Sequence, residues 1–207
     1  LAKDMVLLRK RGGIREVLVL DKPVYTFWDI GNSDGCAIWF MQEHDGTDRF
    51  IRYYEEHEEN LRHYARKLTE TGYHFGGHLL PHDADHKTLS DTNKSVKQQL
   101  QDLLPGQTFM VVPRITELIN GIYMLRKHMK GAIFDRDRCA QGIERLDGYK
   151  KKFNRSENRY IDEPDKANGC TEGADALRQY AQAKESGLLA TLTTKRAYVE
   201  APDPVCY

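Results

Sequence analysis

Cysteine is sparse and scattered in this chain. The four cysteines, Cys36, Cys139, Cys170 and Cys206, form no Cys-x-x-Cys pair. That spacing argues against a zinc ribbon or a secreted disulfide scaffold and fits a reducing cytoplasm. Long apolar runs are also missing. No stretch approaches the roughly 20 residues that span a bilayer, and the first residues lack a basic-then-apolar leader pattern, so a soluble protein is expected. Charge of one sign is absent as well: Lys plus Arg and Asp plus Glu both total 31. A globally basic nucleic-acid binder is thereby excluded, and any contact with phosphates must come from local patches. Finally, no Gly-x-x-x-x-Gly-Lys-Ser/Thr loop occurs to cradle nucleotide phosphates, so ATP hydrolysis is not expected of this chain.

What is present is enough for one well-cored domain: 207 residues, 40% hydrophobic and 30% charged, a length that hardly supports two. The first residue is Leu1 rather than Met, which leads to the expectation of a fragment of a longer polypeptide. Residues 5–20 read as two short β-rich runs around Gly12-Gly13, a plausible hairpin turn. Residues 24–30, 36–41 and 49–54, the last following Asp45-Gly46, read as a three-stranded antiparallel meander. Helical spacing of Leu61, Tyr64, Ala65 and Leu68 predicts a helix ending at Gly72. Strands are then expected at 73–80 and 108–112, and helices at 90–104, 115–129, 139–153 and 173–184, with 154–168 a surface loop. The implied order, a meander followed by helix-crossed parallel strands, predicts an α/β fold with a mixed central sheet and helices on both faces. The expected organisation is a connecting segment over 1–22, a domain over 23–187 and a C-terminal tail over 188–207.

Three acidic positions stand out by their placement. Asp29 ends an apolar strand in Trp28-Asp29-Ile30-Gly31, where a carboxylate at a sheet end has glycine beside it; an ordinary turn aspartate would look the same. Asp83 lies in Pro81-His82-Asp83-Ala84-Asp85-His86, a burst of metal-capable side chains directly after a strand, which is equally the composition of a polar turn and helix cap. Asp175 sits near the start of the last helix in Glu172-Gly173-Ala174-Asp175, where negative charge also suits the helix dipole. A carboxylate trio has a specific use, because divalent magnesium or manganese takes oxygen ligands. Two such ions about 3.5–4 Å apart clamp the attacking and leaving oxygens of a phosphodiester.

Trp28-Asp29-Ile30-Gly31, Leu80-Pro81-His82-Asp83-Ala84, Val112-Pro113-Arg114 and Gly173-Ala174-Asp175-Ala176-Leu177-Arg178 together resemble the ordered landmarks of the nuclease domains of phage terminase large subunits. The resemblance covers residues 24–182. It implies an RNase H-like fold and an Mg²⁺- or Mn²⁺-dependent endonuclease that cuts concatemeric double-stranded DNA, with two ions in the active complex. It further implies that Asp29, Asp83 and Asp175 are the catalytic metal ligands. Implied partners are an N-terminal ATPase domain of the same polypeptide, a portal protein and a small terminase subunit, in the host cell cytoplasm, with no membrane and the isolated domain monomeric. One departure is local: where the family commonly has His before Gly-Ala-Asp, this chain has Glu172.

Contact with DNA is expected from the densest basic cluster, Lys150, Lys151, Lys152 and Arg155, although a lysine run is more often a solvated face. The sequence admits two other readings. One is a zinc hydrolase built on His82, Asp83, Asp85 and His86, with His74 and His78 as further candidate ligands, which lacks the His-Glu-x-x-His spacing. The other is a non-catalytic RNase H-like DNA-binding module, for which convergence of the three aspartates would have no purpose against their mutual repulsion.

Overall fold

The computed structural model describes residues 1–31, 35–86, 93–166 and 169–192. Its centre is the meander: β2 (Val24–Ile30), β3 (Cys36–His44) and β4 (Thr47–Glu56) pair antiparallel. The turn between β3 and β4 is Asp45-Gly46, both at positive φ, the conformation that a tight hairpin requires and glycine adopts at least cost. On one side of the meander, β5 (Phe75–Leu80) and β6 (Phe109–Val111) add in parallel next to β2; on the other, β7 (Ile133–Asp135) adds in parallel to β4, and β1 (Ile14–Arg15) to β7. The seven-stranded mixed sheet therefore runs β1-β7-β4-β3-β2-β5-β6.

Period-two alternation sorts the strand side chains between two cores. Phe27, Trp39, Phe50 and Phe134 face α1 (Ala2–Lys10), α4 (Leu118–Met129), α5 (Ala140–Gly148) and α6 (Thr171–Glu185), meeting Met5, Leu8, Leu125, Leu146, Leu177 and Tyr180. Trp28, Ile38, Phe40 and Ile51 face the opposite layer, where α2 (Leu61–Glu70) and α3 (Val96–Leu103) bring Tyr64, Leu68 and Leu100. Each such large side chain, once fully buried, contributes about 1.5–3 kcal/mol of hydrophobic stabilisation. One polar chain crosses the second core: Trp28 Nε1 donates to Thr26 Oγ1 at 2.7 Å, and that hydroxyl lies 2.7 Å from His78 Nδ1. The His78 ring stacks on Phe109, and burial pulls its imidazole down to about 3.

The structure departs from the expected elements in three places. Residues 5–20 are not a hairpin. Residues 2–10 form α1, because Leu1, Met5 and Leu8 fall on one helical face and are buried while Val6 and Leu7 point outward; Gly12, at φ +72°, turns the chain into the short β1. The helix expected over 139–153 ends at Gly148. Lys151–Asn154 is instead a strand, β8, paired antiparallel with β9 (Arg159–Pro164) in the stretch expected to be loop. β7 was not anticipated, being only three residues long. The helix expected from residue 90 is observed from Val96; residues 90–92 lie outside the described residues, as does most of the expected tail, 193–207, whereas 188–192 are helical and bury Leu189 and Leu192.

Candidate active site

Asp29 is the penultimate residue of β2. Alternation from Phe27 turns it to the α6 face, and its register partner is Ala37 of β3, which in turn pairs with Glu55 of β4. Parallel pairing of Phe27 with Leu79 brings the end of β5 alongside. Asp83 follows directly, exposed in a 3-10 turn over His82–Asp85. Asp175 enters from the second turn of α6, the helix that packs across β2 and β3. Arg178, one turn further on, places Nε 3.1 Å and a terminal nitrogen 2.9 Å from Asp175 Oδ1.

These carboxylates share one electrostatic neighbourhood. Burial, and then the charge of Asp175, push the Asp29 carboxyl up to about 8, with Glu172 and Asp83 adding to the rise and Arg178 opposing it. Asp175 is also raised, first by burial; Arg178 and Lys166 oppose that rise, and Glu172 adds to it. Glu172 Oε2 is buried and makes no hydrogen bond. Negative charge is thus concentrated here beyond what Arg178 and Lys166 offset, and a set of hard carboxylate oxygens with one orphaned member fits a hard divalent cation. Among the described residues, no three His, Cys, Asp or Glu side chains stand close enough to hold an ion. The donors share a field without forming a coordination sphere.

The histidine-rich surroundings of Asp83 form no three-ligand group among the described residues. The His82 and His86 rings are 6.4 Å between centroids, and Asp85 pairs with Lys97 at 3.6 Å. Of the basic cluster, Lys151 and Lys152 lie on β8, Arg155 is in the turn that follows, and Lys150 pairs with Asp165 at 3.6 Å at the foot of the hairpin.

Sequence reading missed the brace beneath the site. The Glu55 side chain is fully buried and takes two hydrogen bonds from Arg145 of α5, at 3.0 and 2.9 Å, and one from the Tyr53 hydroxyl at 2.5 Å. Burial pushes the Glu55 carboxyl up, but these donors outweigh it and hold the group below the usual range. Trp39 Nε1 donates to the Gly173 carbonyl at 2.8 Å, tying the first turn of α6 to the sheet. A side chain at position 173 would fall 2.8 Å from the Tyr53 hydroxyl and 2.9 Å from Arg145 Cβ. Residues 90 apart in sequence leave no local signal of such a contact.

No protein-family signature matches the sequence, and no curated protein matches it. Solved structures do match. The nuclease domain of the P22 large terminase is 16% identical with a TM-score of 0.58, over 84% of this chain and 89% of that one. The nuclease domain of the SPP1 large terminase, solved with bound Mn, is 11% identical with a TM-score of 0.54, over 84% and 95%. A large terminase from a thermophilic bacteriophage, solved with ADP, is 14% identical with a TM-score of 0.64, over 86% of this chain. This chain has the terminase nuclease fold. It spans 44% of the length of that ADP-bound terminase, and its mixed sheet with helices on both faces is the RNase H-like arrangement that the terminase nuclease domains have. In this terminase nuclease fold the three aspartates belong to β2, the turn after β5, and α6.

Proposed function

We propose that this chain is the nuclease domain of a phage large terminase, a divalent-metal-dependent endonuclease that cuts concatemeric double-stranded DNA with little sequence specificity. The observation that carries the reading is the placement of Asp29 at the end of β2, Asp83 in the turn after the neighbouring β5 and Asp175 on α6, which packs across β2, in a fold shared with terminase nuclease domains. An inactive module has no use for three carboxylates placed on these neighbouring elements.

Asp29, Asp83 and Asp175 would hold Mg²⁺ or Mn²⁺, two ions in the active complex. When bound, these ions supply activation of the attacking water and stabilisation of the leaving 3′-oxygen. The chain's own residues do the rest. Arg178 fixes the rotamer of Asp175 through Oδ1, leaving the second carboxylate oxygen available for a ligand. Asp83, exposed on its turn, can approach Asp29 with little cost in packing. Lys150, Lys151, Lys152 and Arg155 would contact phosphates, giving salt-sensitive binding without base readout.

The proposed partners follow from the same reading: double-stranded DNA, an ATPase domain in the same polypeptide, and the portal and small terminase subunit, in the host cytoplasm. Among the described residues no helix is long and apolar enough to cross a membrane. Residues 1–22 are proposed to connect toward the ATPase domain, 23–187 to form the nuclease unit and 188–207 to form a tail. No observation favours the zinc reading.

The test is cleavage of supercoiled plasmid with magnesium, manganese, zinc or chelator, comparing wild type with Asp29→Asn, Asp83→Asn and Asp175→Asn. Nicking with magnesium or manganese, lost in all three variants, is the expected result. Zinc-dependent cutting, or cutting indifferent to the three substitutions, would overturn the proposal.

A further inference from the structure

The β8–β9 hairpin carries side chains that phosphate binding does not need. Phe153 and Tyr160 are direct cross-strand partners, so both rings project from the same face. They meet edge to face, 5.1 Å between centroids. Even in contact they stay 44% and 66% exposed, and they are the largest apolar surfaces on a hairpin that also presents Lys151, Lys152 and Arg155, the acidic Glu163, and Arg159 paired with Glu157. The turn is well made. Asn154 Oδ1 accepts from the Ser156 amide at 3.1 Å and its hydroxyl at 2.7 Å, and Asn158 takes positive φ. The hairpin is also anchored next to the acidic site. At its foot the Asp165 amide donates to the Lys150 carbonyl at 3.0 Å, and the following Lys166 acts on the charge of Asp175.

An isolated two-stranded hairpin is marginal in water, and a cross-strand aromatic pair helps to hold it. That role explains the contact between the rings but not the area left open. Cations alone satisfy a phosphate backbone, whereas exposed rings beside cations match the two surfaces of an unstacked nucleotide, its π face and its phosphate. In an intact duplex each base face is covered by its neighbours. Faces are offered only where a step is opened, at a frayed end, or in a single strand.

We propose that Phe153 and Tyr160 form a base-stacking platform that engages nucleobases with exposed faces, while Lys151, Lys152 and Arg155 hold the flanking phosphates. The chain thereby binds opened or single-stranded DNA in preference to closed duplex. The inference rests on the nuclease reading only in choosing DNA as the ligand.

The experiment measures binding of the full chain, in chelator and at fixed salt, to a short DNA single strand carrying 2-aminopurine and to the corresponding closed hairpin duplex. Three proteins are compared: wild type, the pair Phe153→Val with Tyr160→Val, which keeps strand-favouring residues, and the pair Phe153→Trp with Tyr160→Trp, which keeps the aromatic faces. Wild type is expected to prefer the single strand and to quench the probe. The valine pair should lose about tenfold or more in single-strand affinity, the scale of one lost base stack, with duplex affinity little changed, and the tryptophan pair should regain it. Unchanged single-strand binding by the valine pair overturns the proposal. Equal loss on both substrates, not restored by tryptophan, overturns it as well, since the rings then only brace the hairpin. Plasmid nicking by the same wild-type preparation is scored separately: stacking without nicking would sink the nuclease reading and leave the platform standing, and nicking without stacking the reverse.

Discussion

Arg145 grips Glu55 with two hydrogen bonds, at 3.0 and 2.9 Å, on a carboxylate with no exposed side-chain surface. The pair joins α5 to β4 in the row of the sheet that also contains Ala37 and Asp29. Removing the guanidinium leaves a buried charge whose remaining hydrogen-bond partners, among the described residues, are Tyr53 and His57. Arg145→Met is therefore expected to cost about 3–5 kcal/mol of folding stability, the usual penalty for stranding a buried ion. Urea unfolding checks this, and the double variant Arg145→Met, Glu55→Gln should cost clearly less than the two single losses added together. Strict additivity would mean the two groups do not depend on each other.

Two helical glycines should respond oppositely to alanine. At Gly173 the new methyl meets the Tyr53 hydroxyl and Arg145 Cβ inside 3 Å, so Gly173→Ala should destabilise by about 1–3 kcal/mol through overpacking. At Gly121, inside α4, the nearest atoms are 3.5 Å or more away. There Gly121→Ala should be neutral or gain up to about 1 kcal/mol from helix propensity. Thermal melts of both variants decide the matter, and a shift of the same sign in both would contradict the packing described.

Acid should weaken the fold through His78. Its pKa is about 3 when folded, against about 6.5 in an unfolded chain. The unfolded state therefore binds more protons between these values, so the stability is fully present above about pH 6.5 and is lost as pH falls toward 3. The slope from this one group approaches 1.4 kcal/mol per pH unit at its steepest. Unfolding midpoints at successive pH values should fall through this window in the wild type and flatten in His78→Gln. An equally steep fall in the variant would assign the acid sensitivity elsewhere.

Charge gathered for a cation works against the fold when the cation is withheld. In chelator at neutral pH, Asp29→Asn removes a carboxyl that burial and Asp175 strain together. This variant is expected to melt several degrees above the wild type while losing all metal-dependent nicking. A lowered melting temperature would show that Asp29 is a structural member of the sheet end rather than a strained functional one.

The elements legible in the sequence were those whose local chemistry agrees with their tertiary role. The meander announced itself through Asp45-Gly46 and its apolar runs, and α2 through the spacing of Leu61, Tyr64, Ala65 and Leu68 before Gly72. α1 was misread because Val6, Leu7 and Leu8 look like a strand, whereas its spacing of Leu1, Met5 and Leu8 is helical. β8 was misread because lysines extend a helical pattern readily, yet the helix stops at Gly148 and Tyr149 is extended. Asp29, Asp83 and Asp175 could be singled out from their positions after strands and on a helix. The supporting contacts could not, since Glu55 with Arg145 and Trp39 with Gly173 join residues 90 and 134 apart.

The pairing of β1 with β7 bears on how the chain acquires its structure. Ile14 and Arg15 hydrogen-bond beside Phe134 and Asp135, and the Val17 amide is capped by Asp135 Oδ2 across 118 residues. That loop must close before β1 gains its strand partner, and closure entropy delays such non-local pairings. During synthesis β1 has no strand partner until β7 has been made. The meander can form early, and β1 joins the sheet only once β7 stands beside β4.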